Sequence, residues 1–191
     1  ANLISNIRKE KSEQLSKIVN HELSHLKMDG IKFLINCNEK KEKTIIGKDE
    51  IFFLIRNNNL AVQDLEKIVS GGELSRILLA LKVSLAKETE GLTLIFDEID
   101  RGIGGATAES VGERLSILSK TEQILLITHS PQVAAKANKH WKVSKKISED
   151  GFPISFTREL DEDNKKIELA RMISGKVVTK EAIAAAEKLM P

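Results

Sequence analysis

Two short segments carry the residue types that could hold phosphate and a divalent cation. Val69-Ser-Gly-Gly-Glu-Leu-Ser-Arg76 is a glycine-containing loop that opens into a helix. Leu92-Thr-Leu-Ile-Phe-Asp-Glu98 is an apolar strand that ends in two adjacent carboxylates. Ser70 as N-cap with Glu73 three residues on forms a capping box, worth on the order of 1 kcal/mol. That accounts for Ser70 and Glu73 but not for Gly71 and Gly72, since glycine is costly in a first helical turn. Paired glycines there make sense if something bulky approaches the backbone. A helix N-terminus with free N–H groups, a positive dipole end and a serine hydroxyl is a natural phosphate cradle. Both readings, cap and cradle, stand at this point.

The carboxylates favour the cradle. Acids directly after a buried apolar strand lie at the carboxyl end of a parallel sheet, where ligands of open α/β folds bind. Asp97 or its neighbour could hold Mg²⁺ beside phosphate oxygens, and the other could orient or deprotonate an attacking water. The plainer alternative is a pair of solvated acids in a loop. Asp100 and the run Gly102-Ile-Gly-Gly105 keep this loop tight, which a merely solvated loop does not require. His129, in Leu126-Ile-Thr-His-Ser-Pro131, follows a second apolar strand. It is either a structural histidine or one that faces the same crevice and senses a γ-phosphate. A cluster of Lys136, Lys139, Lys142, Lys145 and Lys146 surrounds His140 and Trp141. It reads first as a solvated basic face and second as a contact for a phosphate backbone; Trp141 is expected in the core.

Elements must position these groups. Ile4, Ile7, Leu15, Ile18, Val19, Leu23 and Leu26 form a thin apolar stripe on a helix from about Asn2 to Lys27, broken by Lys11 and Gln14. It is either a surface helix or the end of a coiled-coil arm. Ile31–Asn36 and Ile51–Arg56 read as strands, with a turn signal at Asn57-Asn-Asn59. A helix is expected from just after Ser70 to about Lys87, then the strand Leu92–Phe96, buried on both faces. A helix over Thr107–Leu118, a strand Ile124–Thr128 and a helix Gln132–Ala137 led by Pro131 follow. A hairpin, Trp141–Lys145 with Ile154–Glu159, and helices near Lys165–Ile173 and Thr179–Met190 close the chain. The alternation predicts an α/β layer with a parallel sheet.

Bulk properties set limits. The 191 residues, 41% of them hydrophobic, suffice for a good core, and a net charge of +2 does not by itself indicate nucleic-acid binding. The single cysteine, Cys37, excludes a disulfide framework and fits a reducing cytosol. No apolar run approaches the roughly 18 residues of a membrane span. The sequence opens at Ala1 in a polar helix, and the expectation is a piece cut from a longer protein.

In their order, these motifs resemble those of ATP-binding-cassette ATPases: Val69–Glu73 the signature motif, Leu92–Glu98 Walker B, Asp100 the D-loop aspartate and His129 the switch histidine. The wording of Ser70–Arg76, of Asp97-Glu-Ile-Asp100 with Gly102-Ile-Gly-Gly105, and of Ile127-Thr-His-Ser-Pro-Gln-Val133 is closest to the bacterial RecN family of DNA-repair proteins, related to structural-maintenance-of-chromosomes (SMC) proteins. Glu168-Leu-Ala-Arg-Met172 and Gly175 also fit that family's carboxyl end. Val69 stands where the signature usually has leucine, and Arg101 where the family more often has a small apolar residue.

The resemblance implies an α/β fold, the carboxyl-terminal lobe of an ABC-type head over residues 28–191, with residues 1–27 the end of a coiled-coil arm. It implies ATP and Mg²⁺ as cofactors, with Asp97 on the metal, Glu98 as catalytic base and His129 as γ-phosphate sensor. Ser70, Gly71, Gly72, Glu73 and Asp100 would contact nucleotide across a head-to-head homodimer. No G-x-x-x-x-G-K-[ST] stretch occurs; Gly47-Lys48 and Gly175-Lys176 lack its first glycine and its hydroxyl residue. The P-loop is therefore expected on an amino-terminal lobe of the same protein, beyond a long heptad region, and the chain alone is expected to hydrolyse no ATP. The remaining implications are sequence-independent DNA contact, no membrane partner, and a place in the bacterial cytoplasm with the nucleoid. The alternatives are a nucleotide-binding domain of an ABC transporter, another SMC-like repair ATPase, or a structural module with decayed motifs.

Overall fold

The computed structural model describes residues 1–58, 60–67, 71–86, 91–97, 99–148 and 150–190. The expectations for Asn59, Val69, Ser70, Lys87, Glu98 and Glu149 lie outside the described residues. The chain divides into two compact units, residues 1–102 with 117–127, and residues 103–116 with 128–191.

The first unit begins with α1 (Asn2–His25) and an antiparallel sheet of β1 (Ile31–Thr44), β2 (Gly47–Asn57) and the short β3 (Gln63–Asp64). Val19 and Leu23 of α1, followed by Leu26 and Met28, are buried with Phe33 and Ile55 of the sheet. The helix is held to β1 by the Ser12–Cys37 contact at 3.3 Å and, at the strand's free edge, by one amide side chain. The Asn20 amide donates to the Phe33 carbonyl at 2.8 Å and accepts from the Phe33 N–H at 2.9 Å, so it stands in for a neighbouring strand. At the other end of the hairpin, the Ser5 hydroxyl donates to Asp49 at 2.6 Å and Arg8 bridges Asp49 and the Ile46 carbonyl. The Ser5 hydroxyl is the leading cause that holds the Asp49 carboxyl below its ordinary range, with Arg8 assisting.

Both strands of the hairpin run further than the sequence predicts. β1 continues through Lys40–Lys43 because the ladder closes on the tight turn Ile45–Ile46, where Thr44 pairs with Gly47 at φ 111°. Gly47 takes the left-handed conformation that a branched residue resists. The register shifts between Glu39 and Thr44, an irregularity that absorbs the charged run.

The same unit holds α2 (Gly71–Leu85), β4 (Thr93–Asp97) and β5 (Gln123–Ile127). β4 and β5 pair in parallel, from Thr93 beside Gln123 to Asp97 beside Ile127. Glu122, itself buried, accepts the Leu92 N–H, and Gly91 donates to Thr121, which fixes the start of this register. Burial on both faces, the sequence expectation for Leu92–Phe96, is not found. Phe96 is buried, while Ile95 is 70% exposed, Leu125 50% and Ile127 63%. One face of the parallel pair is covered and the other, carrying Thr93, Ile95 and Asp97, is open. Period-two alternation places those three residues together.

The second unit contains α3 (Gly105–Leu118, through Ser116), α4 (Pro131–Ala135), the antiparallel pair β6 (His140–Ile147) and β7 (Pro153–Leu160), α5 (Glu162–Ser174) and α6 (Lys180–Leu189). Its core joins Ala134, Ala135, Leu169, Ala170, Ala182 and Ala186, with Met172, Ile183 and Leu189 packed on it. Small residues let α4, α5 and α6 approach closely. Gly112 serves the same end in α3, since a Cβ there would lie 3.3 Å from the Gln132 carbonyl oxygen of α4. Asp161 and Thr179 cap α5 and α6 by accepting from the backbone N–H of Asn164 and Ala182. Gly175, at φ 84°, ends α5. Glu168 is buried between Lys142 and Arg171, and Lys165 donates to the Ala137 carbonyl at 2.8 Å. Trp141 does not enter the core; it is 54% exposed on the ribbon of β6 and β7.

Replacing Asn20 with Leu strands a backbone donor and acceptor at the edge of β1. The expected cost is about 2–4 kcal/mol, read as a lower urea midpoint with an unchanged slope.

Candidate functional site

The amino-terminal turn of α2 and the turn after β4 form one assembly inside the first unit. α2 buries Gly72, Arg76, Ile77, Leu79 and Ala80, the spacing of a single helical face. Gly71 is exposed, and among the described residues nothing lies within 4 Å of where its Cβ would be. Gly72 is different. A Cβ there would stand 3.2 Å from the Arg101 carbonyl oxygen and 3.4 Å from Nη1 of Arg76. The second glycine thus lets the helix tip rest on the backbone of the 99–101 turn, and the first leaves the tip bare.

Arg76 sits beneath this contact at 8% exposure, and its Nη1 donates to the Ile99 carbonyl at 3.5 Å. Its Nε has no partner among the described residues. Burial pushes the guanidinium below its ordinary pKa, and Glu73, one turn back on the same helix, opposes the shift. A guanidinium remains charged at neutral pH under such a shift. Leaving a buried donor unsatisfied costs about 1–3 kcal/mol, so an apolar side chain of similar volume would serve stability better here. Ile99 and Asp100, on the turn that Arg76 reaches, are both fully buried. Gly102, at φ 73°, lets the turn reverse.

Asp97 ends β4 on the open face of the sheet pair, in line with Thr93 and Ile95. It borders a shallow hollow of about 240 Å³ that is lined also by Ser75, Leu78 and Lys82 of α2 and by Leu94, Ile95 and Phe96. The hollow therefore has an acidic end at Asp97, a basic side at Lys82 and an apolar floor. An exposed carboxylate oxygen at a strand end suits Mg²⁺, which keeps most of its waters and takes one or two carboxylates together with substrate phosphates. Among the described residues no group of three His, Cys, Asp or Glu side chains could hold an ion by itself. The donor set fits a cation that arrives with a phosphate, rather than a resident cage.

Gly71, Gly72, Glu73, Asp97 and Asp100 thus all lie in the first unit, and Gly72 meets the turn that carries Asp100 directly. Ser70 and Glu98 are outside the described residues. His129 belongs to the second unit and is exposed, two residues beyond Ile127, the strand partner of Asp97. Sequence reasoning passed over Arg76. Its signal is the spacing 72, 76, 79, 80, which places a cation on the buried face of α2.

No family model matches the chain. The DNA repair protein RecN of Rickettsia bellii is 43% identical over 180 residues, 94% of this chain and 32% of that protein. RecN of Rickettsia prowazekii is 41% identical over 191 residues, the whole of this chain and 34% of that protein. The chain thus spans about a third of the length of the curated relatives it matches. Among solved structures, the Smc head domain with a coiled coil and joint from Pyrococcus yayanosii superposes at a TM-score of 0.60 and 22% identity, over 88% of this chain and 32% of that one. A chain solved in work on ATP-driven dimerization and DNA stimulated activation of SMC ATPases gives a TM-score of 0.54 and 22% identity, over 91% of this chain and 99% of that one. At such identities the likeness is one of fold, that of an SMC head lobe. Sequence identity along nearly its full length and this fold together place the chain in the RecN family, as a carboxyl-terminal head segment.

Proposed function

We propose that this chain is the catalytic half-site of an ATPase head that works in DNA repair. It supplies the acidic strand end and the glycine helix tip, and a second lobe of the same protein supplies the P-loop. The observation that carries the reading is the position of Asp97: at the carboxyl end of β4, on the open apolar face, beside the hollow that α2 borders. An uncovered face with Ile95, Leu125 and Ile127 is the kind of apolar patch that marks a docking site. Its continuation into Asp97 gives the amino-terminal lobe both a seat and a reason to sit there. In this reading α1 is the end of a coiled-coil arm, residues 1–27, and residues 28–191 form the lobe.

The work of the chain's own residues is positioning and electrostatic stabilisation. Asp97 binds Mg²⁺, which neutralises charge that develops on the transferred phosphoryl group. Glu98 orients the attacking water and accepts its proton. His129 contacts the γ-phosphate and registers its departure. Ser70, Gly71, Gly72 and Glu73 present the N–H groups and dipole of α2 to ATP held by the opposite head of a homodimer, and Asp100 shapes the turn between them. The open space at Gly71 supports this division, because no described residue stands within 4 Å of where its side chain would be. The work of the relatives, DNA repair for RecN and ATP-driven dimerization with DNA stimulated activation for SMC ATPases, agrees with it. DNA contact is sequence-independent and the protein acts in the bacterial cytoplasm.

Three outcomes test the reading. The 191-residue chain alone hydrolyses no ATP; mixed with a P-loop-bearing amino-terminal lobe it does, and Glu98→Gln lowers that turnover about 100-fold or more. Turnover by the isolated chain that Glu98→Gln abolishes would overturn the assignment of half-sites. Gly71→Ala keeps or raises stability, by up to about 0.5–1 kcal/mol, yet removes hydrolysis in the assembled protein. Gly72→Ala instead disturbs the 99–101 turn. Wild-type hydrolysis in Gly71→Ala would show that no nucleotide approaches the tip. Lys139 and Lys142 are already engaged by Glu159 and Glu168. Reversing the charge of Lys145 and Lys146 is therefore the sharper test of DNA contact, expected to weaken binding and to lower the salt slope by about 1 per lost phosphate contact. Unchanged affinity dismisses this cluster.

A further inference from the structure

Arg76 is placed to couple two motifs that the sequence separates by more than a strand. It rises from the buried face of α2 one turn after Gly72, and its guanidinium lies between the helix tip and the Ile99 carbonyl. A stabilising role does not explain the choice of residue. The side chain is 92% removed from solvent by its 8% exposure, its contact to Ile99 is long, and its Nε has no partner among the described residues. Glu73, one helical turn back, opposes the effect of burial on the guanidinium through its charge. What the guanidinium does that an apolar group would not is hold a directional contact to a backbone carbonyl. That carbonyl belongs to the residue just before Asp100. The same guanidinium lies 3.4 Å from the position of a Cβ on Gly72, so it bears on the helix tip as well.

We propose that Arg76 is a positioning residue: it ties the glycine tip of α2 to the turn bearing Asp100, so that the two enter the nucleotide site as one rigid piece. The inference rests on the ATPase reading above and names a residue outside the set that touches nucleotide. Arg76 acts through Gly72 and Ile99, and the effect of its loss is on the geometry of the chemical step rather than on the capture of ATP.

The test uses the full-length protein with Arg76→Met, which keeps the volume, and Arg76→Lys, which keeps the charge but not the planar fork. Arg76→Met is expected to melt at or above the wild-type temperature, since it removes the orphaned donor, and Arg76→Lys near it. Their kcat falls about tenfold or more, as small misplacements at a reacting centre do, while KM for ATP stays within about twofold. Amide hydrogen exchange at residues 100–102 accelerates, with no change in α5 and α6. Wild-type kcat in Arg76→Met, or a rise in KM alone, overturns the proposal while Glu98→Gln, measured alongside, still loses activity. If Glu98→Gln hydrolyses ATP normally, the ATPase reading itself is wrong. If neither Arg76 variant folds, the residue serves stability and the coupling role is rejected.

Discussion

The contact between the tip of α2 and the turn after β4 is the constraint on which the rest of the site depends. It exists because Gly72 has no Cβ: the Arg101 carbonyl occupies the space that a side chain would need. Once the helix is seated there, the direction of α2 is set, and with it the position of Gly71 at the exposed tip. Arg76 is carried under the same turn. The strand end, the acidic turn and the helix dipole then converge within one unit, although they come from separate stretches of chain.

That assembly is supported from a distance by ordinary packing. The parallel register of β4 and β5, started by the Leu92–Glu122 contact, sets where Asp97 emerges. The antiparallel sheet is fastened to α1 by the Asn20 amide and by the Ser5–Asp49–Arg8 cluster. A side-chain amide that satisfies both groups of a strand residue also blunts the edge of β1, which would otherwise invite pairing with another chain. The second unit solves a different problem. Its helices pack through alanines, and its charges, Glu168 with Lys142 and Arg171, are neutralised in place. Two of the five lysines that read as a basic cluster in the sequence, Lys139 and Lys142, are thus already paired with acids.

One face of the β4–β5 pair is open, and it is largely apolar apart from its acidic end. A finished α/β sheet of this kind covers both faces, because the strands of parallel sheets carry apolar side chains on both. Here the pattern is written for two covers and the chain brings one. The large exposed residues and the acidic group lie on the same side, so whatever covers the apolar surface also closes over Asp97. The apolar surface and the Asp97 carboxylate thus share one face of the strand pair.

The element types and their order were legible in the residues. Leu74, Ile77, Leu78 and Leu81 recur at helical spacing, and Leu92–Phe96 and Ile124–Ile127 are short apolar runs, so α2, β4 and β5 follow from local periodicity and the glycine-serine punctuation. Gly71, Gly72 and Asp97 stood out as candidates from residue type and spacing, whereas Glu73 and Asp100 entered as nucleotide contacts through the family resemblance. The ends of the β1–β2 hairpin were not legible. Lys40–Lys43 carry no strand signal, and only cross-strand pairing around Gly47 extends the ladder through them. The exposure of Trp141 on the outer ribbon, and of every second residue in β4 and β5, was equally hidden. A side chain's type states what it would gain by burial, and only the neighbours brought by the fold decide whether a cover is there. The division of labour between Gly71 and Gly72 belongs to tertiary structure for the same reason. Adjacent and identical in the sequence, they differ in what stands opposite: the backbone of a distant turn before Gly72, and no described residue within 4 Å of Gly71.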